Sequence, residues 1–233
     1  MTLPPGQHEI AGFPRFGTHL HNPPPAVPAE PAIEIRGAGV ETVTVGLRAL
    51  AGLPRRELVA DFHCVAGWSA TGLRWEGVPL AALYAEVVAP LLDGQTITHL
   101  VFVGLDGYRS VATIEDALGE DVLIAERLDG RPLDGDHGAP LRLVSPAQYG
   151  FVSTKHLCRI ELRSAAPTGN FGTASAISRV AFRSPLFQRH PRARVREEER
   201  HPSLPAWSLR PVYRALIPPI MALCARGGVR RTS

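Results

Sequence analysis

A mixed α+β domain, short strands with short helices between them, is the fold class this sequence predicts. Segments of alternating, β-branched residues recur along the chain. The helical stretches between them are short, and 22 prolines and 22 glycines among 233 residues interrupt any long regular element. No internal repeat competes with this reading. At 233 residues and 45% hydrophobic, the chain suits one sizeable core.

Taken in order, residues 1–31 read as an extended arm, because Pro23, Pro24, Pro25 and Pro28 exclude a helix. Segment 41–46, ETVTVG, alternates as a strand. So does 56–63, RELVADFH, which places Leu58, Ala60 and Phe62 on one face and ends at Cys64. A glycine-rich turn with Gly67, Gly72 and Gly77 is expected next. Segment 79–92 predicts a helix with Pro79 at its first position. THLVFVG at 98–104 reads as a buried strand, and Asp106-Gly107 turns it into a hairpin with 108–112. Thr113 caps a short helix, with Asp116 at the capping-box position. Segments 122–127, 140–145 and 157–162 complete the strands. The main domain is therefore placed at 32–163. Residues 164–233 are read as an extension wrapping it, irregular to 202, with a short amphipathic helix around WSLRPVYRAL.

Composition narrows the function classes. The three cysteines, Cys64, Cys158 and Cys224, form no zinc spacing and no disulfide framework. Leu216–Ala225 is too short and proline-broken to cross a bilayer. The N-terminus shows no export signal, so the cytoplasm is the expected location. No nucleic-acid partner is expected. Residues 1–163 carry 13 Lys and Arg against 19 Asp and Glu, whereas 164–233 carry 12 against 3. An acidic body with a basic tail predicts a docking surface on the tail, at Arg183, Arg189, Arg192, Arg194 and Arg196.

Two constellations carry chemistry. Cys64 leaves a strand end and faces a glycine-rich segment with Trp68 and Trp75 as walls. Such a thiol suits a soft metal ligand, a nucleophile with a nearby base, or a buried apolar side chain. His63 is adjacent but should point to the opposite face. The second constellation is DHGAPLRLVSP at 136–146 followed by YGFVSTK at 149–155. His137, the planar fork of Arg142, the hydroxyls of Ser153 and Thr154, and the ammonium of Lys155 suit a phosphorylated ligand. Lys155 is the only lysine in an arginine-rich chain.

Together these stretches resemble the molybdopterin-binding domain of the sulfite oxidase family over residues 15–163. The matching parts are a strand-end Cys followed by WS and then W-x-G-V-P-L, the DGY turn at 106–108, and H-G-A-P-L-R-L-V-x-P-x-x-Y-G-x-x-x-x-K from His137 to Lys155. The resemblance implies a sulfite-oxidase-type fold and a molybdenum–molybdopterin cofactor with Cys64 as the metal's thiolate. It implies that His137 and Arg142 hold the pterin and its phosphate, and that Ser153, Thr154 and Lys155 grip its tail. Tyr108 would line the substrate side and Gly104 would lie near the metal. Arg15, with His19 or His21, would come from the arm that crosses the pterin. The activity implied is oxygen-atom transfer on a small sulfite- or sulfoxide-like S-oxo or N-oxo substrate, with a separate electron-transfer partner. The short step from Cys64 to Trp68 resembles the bacterial methionine-sulfoxide reductase branch, although that branch favours Asn at His137 and threonine at Gly104. The rival expectations are a pterin- or anion-binding module that has lost its metal, and a cysteine hydrolase, for which no convergent base is identified.

Overall fold

The computed structural model describes residues 2–15, 23–167 and 189–229. The strands are β1 (His8–Glu9), β2 (Ala32–Gly37), β3 (Val40–Gly46), β4 (Arg56–His63), β5 (Trp68–Pro79), β6 (His99–Gly104), β7 (Arg109–Thr113), β8 (Leu123–Leu128), β9 (Arg131–Pro132), β10 (Arg142–Val144) and β11 (Leu157–Arg163). Short helices α1 (Leu47–Ala51), α2 (Leu80–Leu83) and α3 (Ile114–Ala117) lie between them, and a longer helix, Ala206–Val229, closes the chain. The fold is α+β, as the alternation predicts.

The strands form two sheets. One has five strands in the order β3-β2-β11-β6-β7, with β2 and β11 parallel and the other pairs antiparallel. The other has six strands and is organised around β5. Strand β4 lies antiparallel along one edge of β5, while β1 takes the start of the other edge and β8 its end. Residues of β8 and β10 alternate between two apolar clusters. Ile124 and Leu143 face the larger one with Ile33, Phe102 and Ile160, while Leu123, Ala125 and Val144 face the one holding Trp68, Trp75 and Cys64. Period-two alternation therefore puts β8 and β10 between the general core and the Cys64 region.

The hairpin of β6 and β7 and the Thr113 cap form as the sequence indicates. The Thr113 hydroxyl accepts from the Asp116 amide at 3.2 Å. Three expectations need correction. Residues 68–79 are not a glycine-rich turn but the longest strand. Gly77 is required there because a Cβ would lie 2.0 Å from the Ile124 carbonyl oxygen; the close neighbour is the protein's own backbone. The helix expected over 79–92 is broken. It is α-helical only over Leu80–Leu83, widens over Tyr84–Val88 and tightens over Ala89–Leu91. Pro90 has no N–H to donate and crowds the carbonyl four residues before it. Pro79 is extended, at φ −54° and ψ 131°, and precedes the helix instead of starting it. The C-terminal helix is far longer than expected and contains Pro211, Pro218 and Pro219.

Beyond residue 188 the chain packs on the body. Ala193 and Val195 lie in the larger core cluster, and Gln148 and Arg194 form a β-bridge. Among the described residues, no helix is long and apolar enough to cross a membrane.

Candidate cofactor site

Cys64 sits at the turn that joins β4 to β5. Its amide donates to the Trp68 carbonyl at 2.8 Å, and the Gly67 amide donates back to the Cys64 carbonyl at 2.9 Å. Gly67 makes the reversal possible with φ +94°, a conformation that costs glycine little. The residue is 4% exposed and packs with Ala66, Trp68 and Trp75. Neither Cys64 nor Cys158 is in a disulfide.

His63 is committed elsewhere, as strand alternation predicts. Its Nδ1 lies 2.8 Å from the Ser69 hydroxyl, which itself donates to Gln7 Oε1 at 3.0 Å. The hydroxyl proton is thus spent on Gln7, so Nδ1–H donates to Ser69. Burial lowers the His63 pKa. His63 is therefore not the base that a cysteine hydrolase would need.

Tyr108 follows the Gly104–Gly107 turn between β6 and β7. The Gly104 amide donates to the Tyr108 carbonyl at 2.9 Å, and Asp106 Oδ1 accepts from the Tyr108 amide at 3.0 Å. A Cβ on Gly104 would stand 2.5 Å from the Lys155 carbonyl oxygen. Gly104 thus admits the 153–156 loop. The Tyr108 hydroxyl donates to the Phe151 carbonyl at 2.6 Å and accepts from Arg189 Nη1 at 2.6 Å. Burial raises the phenol's pKa against the opposing pull of Arg189, and charge on Cys64 raises it further, which places the thiol within electrostatic range. Arg189, expected on a docking surface, instead lies 4.6 Å over the Phe151 ring and 5.6 Å over the Tyr108 ring.

The cradle assembles around Arg142. This guanidinium is 0% exposed and donates only to main-chain carbonyls among the described residues: His137 at 2.9 Å, with longer bonds to Leu143 and Ser153 at 3.4 Å each. The rings of Trp75, Phe62 and Phe13 surround it at 5.0, 5.5 and 5.6 Å. Lys155 donates to the Asp136 carbonyl at 2.6 Å. Burial pushes Arg142 down to about 9, and burial together with Arg142 and Arg15 pushes Lys155 down to about 7. Arg15 reaches Asp136 at 3.6 Å. His137 Nδ1 lies 2.8 Å from Asp134 Oδ1 and its Nε2 lies 2.8 Å from the Phe13 carbonyl oxygen. Although burial opposes it, hydrogen bonding from His137 holds the Asp134 carboxyl below its usual range.

The hydroxyls of Ser153 and Thr154 are used inside the protein. Ser153 Oγ accepts from the Ser145 amide at 3.1 Å, and Thr154 Oγ1 lies 2.7 Å from Ser110 Oγ. They shape the loop that carries Lys155. The structure therefore brings Arg15, Gly104, His137, Arg142, Ser153, Thr154 and Lys155 together. Phe62, two residues before Cys64, links this group to the thiol through its contacts with Arg142 and Trp68. His19, His21 and Arg183 lie outside the described residues.

Sequence reasoning named Trp75 as a wall but missed Phe13 beside it. Phe13 stacks on His137 at 5.1 Å and meets Trp75 edge-on at 5.8 Å. The aromatic residue just before the expected crossing arm was the available signal for Phe13. Trp75 Nε1 is buried with no hydrogen-bond partner among the described residues. A buried guanidinium and a part-buried ammonium, bonded only to carbonyls among the described residues, with the indole donor of Trp75 beside them, fit an anionic ligand with a flat heteroaromatic ring. The donor set is the chemistry that a phosphate-tailed pterin needs.

A family model described as oxidoreductase molybdopterin binding domain matches residues 21–171. The protein-methionine-sulfoxide reductase catalytic subunit MsrP of Xanthomonas campestris pv. campestris is 34% identical over 129 residues, 51% of this chain and 40% of that protein. MsrP of Pseudomonas syringae pv. tomato is 29% identical over 202 residues, 75% of this chain and 59% of that protein. The uncharacterized oxidoreductase YuiH of Bacillus subtilis is 34% identical over 108 residues, 46% of this chain and 52% of that protein. The chain thus spans about half the length of the curated relatives it matches. Among solved structures, the sulfane dehydrogenase SoxCD of Paracoccus pantotrophus shares the fold, with a TM-score of 0.52 and 21% identity over 60% of this chain and 40% of that one.

Proposed function

This chain belongs to the oxidoreductase molybdopterin binding domain family, and on that premise we propose that it is a molybdenum-dependent oxidoreductase moving an oxygen atom to or from a small S-oxo or N-oxo substrate. The observation that carries the reading is the pairing of fully buried Arg142 with part-buried Lys155, both hydrogen-bonded only to carbonyls among the described residues. A fully buried guanidinium that meets only carbonyls among the described residues is costly, and an anion bound beside it would offset that cost. Arg142, Lys155 and His137 would hold the pterin and its phosphate, with Arg15 closing from the arm. Cys64 would supply the thiolate to the metal. When bound, the molybdenum–molybdopterin group supplies the two-electron oxygen-transfer chemistry. Tyr108, its hydroxyl held between the Phe151 carbonyl and Arg189, borders the substrate side.

The sulfoxide direction is the first to test, because two of the relatives above are methionine-sulfoxide reductase subunits. Electrons pass through a separate partner. The extension's share in docking it is narrower than its charge implied. Arg192 is tied to Glu199 and Arg194 to Asp116 and Glu115, whereas Arg196 is exposed. A second reading, a pterin-binding module without metal, is favoured by one fact: the Cys64 side chain is nearly fully buried in an apolar cluster.

Metal analysis of protein from a molybdenum-replete host separates the two. The proposal expects about one molybdenum per chain, a fluorescent pterin on denaturation, and turnover of methionine sulfoxide or another S- or N-oxide. A stoichiometric pterin without molybdenum supports the second reading, and neither group sinks both.

The cradle has a pH signature of its own. Lys155 titrates at about 7 in the folded chain against 10.5 in its ordinary state, so between these values the unfolded chain binds more protons. Stability of the cofactor-free protein should therefore rise with pH across that window, the burial cost being fully present below it. Inorganic phosphate at about a hundred times its dissociation constant should add about 2.7 kcal/mol, or about 5–10 °C in Tm, at pH near 7. The gain should shrink toward pH 10 as Lys155 loses its charge. Scanning fluorimetry in phosphate against chloride checks this; an equal shift in Lys155→Met would remove Lys155 from the anion site.

A further inference from the structure

The backbone of the Cys64 turn is held from outside by the two ends of the chain. Gln7 Nε2 donates to the Cys64 carbonyl at 3.2 Å, and the His8 amide donates to the Gly67 carbonyl at 2.9 Å. Arg200 Nη1 donates to the Val65 carbonyl at 2.5 Å, and its Nη2 reaches the Gly6 carbonyl at 3.3 Å. Each of these donors lies outside residues 21–171, the span that the family match covers.

Arg200 is an unusual choice for this place. It is 1% exposed, sits 5.1 Å from the Tyr149 ring and 5.2 Å from the Tyr213 ring, and pairs with no carboxylate among the described residues. Filling that volume with an apolar side chain would be easier for stability alone. What only a planar fork can do is tie two carbonyls from different segments in one fixed geometry. The packing leaves little slack around it. A Cβ on Gly67 would lie 3.1 Å from the Gly6 carbonyl oxygen, and one on Gly6 would lie 3.0 Å from Arg200 Nη2. Tyr213, on the C-terminal helix, feels charge on both Arg200 and Cys64, so the same extension reaches the neighbourhood of the thiol.

We propose that Arg200 is a positioning residue for the Cys64 sulfur, completing from the C-terminal extension, together with Gln7 and His8, the support of the turn that presents the thiolate. This rests on the reading of Cys64 as a metal ligand. A ligand geometry must be held to within about 0.5 Å by its supporting shell, and among the described residues the side chain that bonds the Val65 carbonyl is that fork. The extension is then part of the site and not a detachable tail.

The test compares full-length Arg200→Met, Arg200→Lys and Gln7→Leu with Arg194→Met. Arg194 fastens the same extension through Asp116 and Glu115 and does not touch the cysteine turn. In cofactor-free protein, iodoacetamide labelling followed at the Cys64 peptide should accelerate by about tenfold in Arg200→Met and less in Arg200→Lys and Gln7→Leu, with no change in Arg194→Met. In metal-loaded protein, Arg200→Met should shift the thiolate-to-metal absorption and the Mo(V) paramagnetic signal, again unlike Arg194→Met. Equal labelling rates and equal spectra in the two arginine variants would overturn the inference. If Arg200→Met does not fold, Arg200→Lys and Gln7→Leu decide by the same two readouts. If the wild-type chain takes up no molybdenum, the proposed function fails while the labelling comparison still decides the role of Arg200.

Discussion

Cys64→Ala and Cys64→Ser should lose oxygen-transfer activity by about a thousandfold or more while the chain stays folded and keeps its pterin. The proposed anchors for pterin and phosphate lie on other elements, at Arg142 in β10 and on the loop bearing Lys155, so retention of the ligand should not depend on the thiol. The structural cost should be small. Cys64 is buried among Ala66, Trp68 and Trp75 and makes its turn through main-chain bonds, which both substitutions preserve. Alanine leaves a small void and serine buries a hydroxyl in an apolar cluster, each costing about 1–2 kcal/mol. Kinetics with a reduced dye and a sulfoxide, beside molybdenum and pterin content, separate chemistry from folding. A metal-loaded Cys64→Ala that retains more than about a tenth of the wild-type rate would remove Cys64 from the reaction.

Arg142→Met should reduce pterin retention by about a hundredfold or more and leave the cofactor-free protein as stable as wild type or more stable. The two effects have one cause. Arg142 is fully buried against Trp75, Phe62 and Phe13, a setting that favours a thioether as readily as a cation. Methionine forfeits the bonds to the His137 and Ser153 carbonyls, and relief from burying a charge beside Lys155 offsets that loss. With Arg142 gone, the Lys155 pKa should move up from about 7, flattening the rise of stability with pH. Fluorescence of the released pterin and thermal scans at two pH values measure both. Unchanged pterin content in Arg142→Met would mean that another residue binds the anion.

The legible parts of this protein were those whose cause is local. Strand β4 was read at its observed bounds, Arg56–His63, because alternation needs only neighbours. The Thr113 cap needed only Asp116 three residues on. Strand β5 was missed because Gly72 and Gly77 read as turn residues, and the reason for Gly77 is the Ile124 carbonyl in a strand far along the chain. Ser153 and Thr154 were read as hydroxyls for the ligand, but their hydroxyls go to Ser145 and Ser110. Arg189 was grouped with the tail by its charge and turned out to hold the Tyr108 hydroxyl.

The fold class and the family were already determined by residue types in a fixed order, from the strand-end Cys64 through Asp106-Gly107-Tyr108 to Lys155. Side-chain chemistry and spacing are properties of the chain itself. What only the tertiary structure decided is which groups share an environment: Phe13 against His137, Arg189 on Tyr108, and Arg200 under the cysteine turn. Such pairings span long stretches of chain, and charge, burial and hydrogen-bond demand acquire partners only after folding has brought those stretches together.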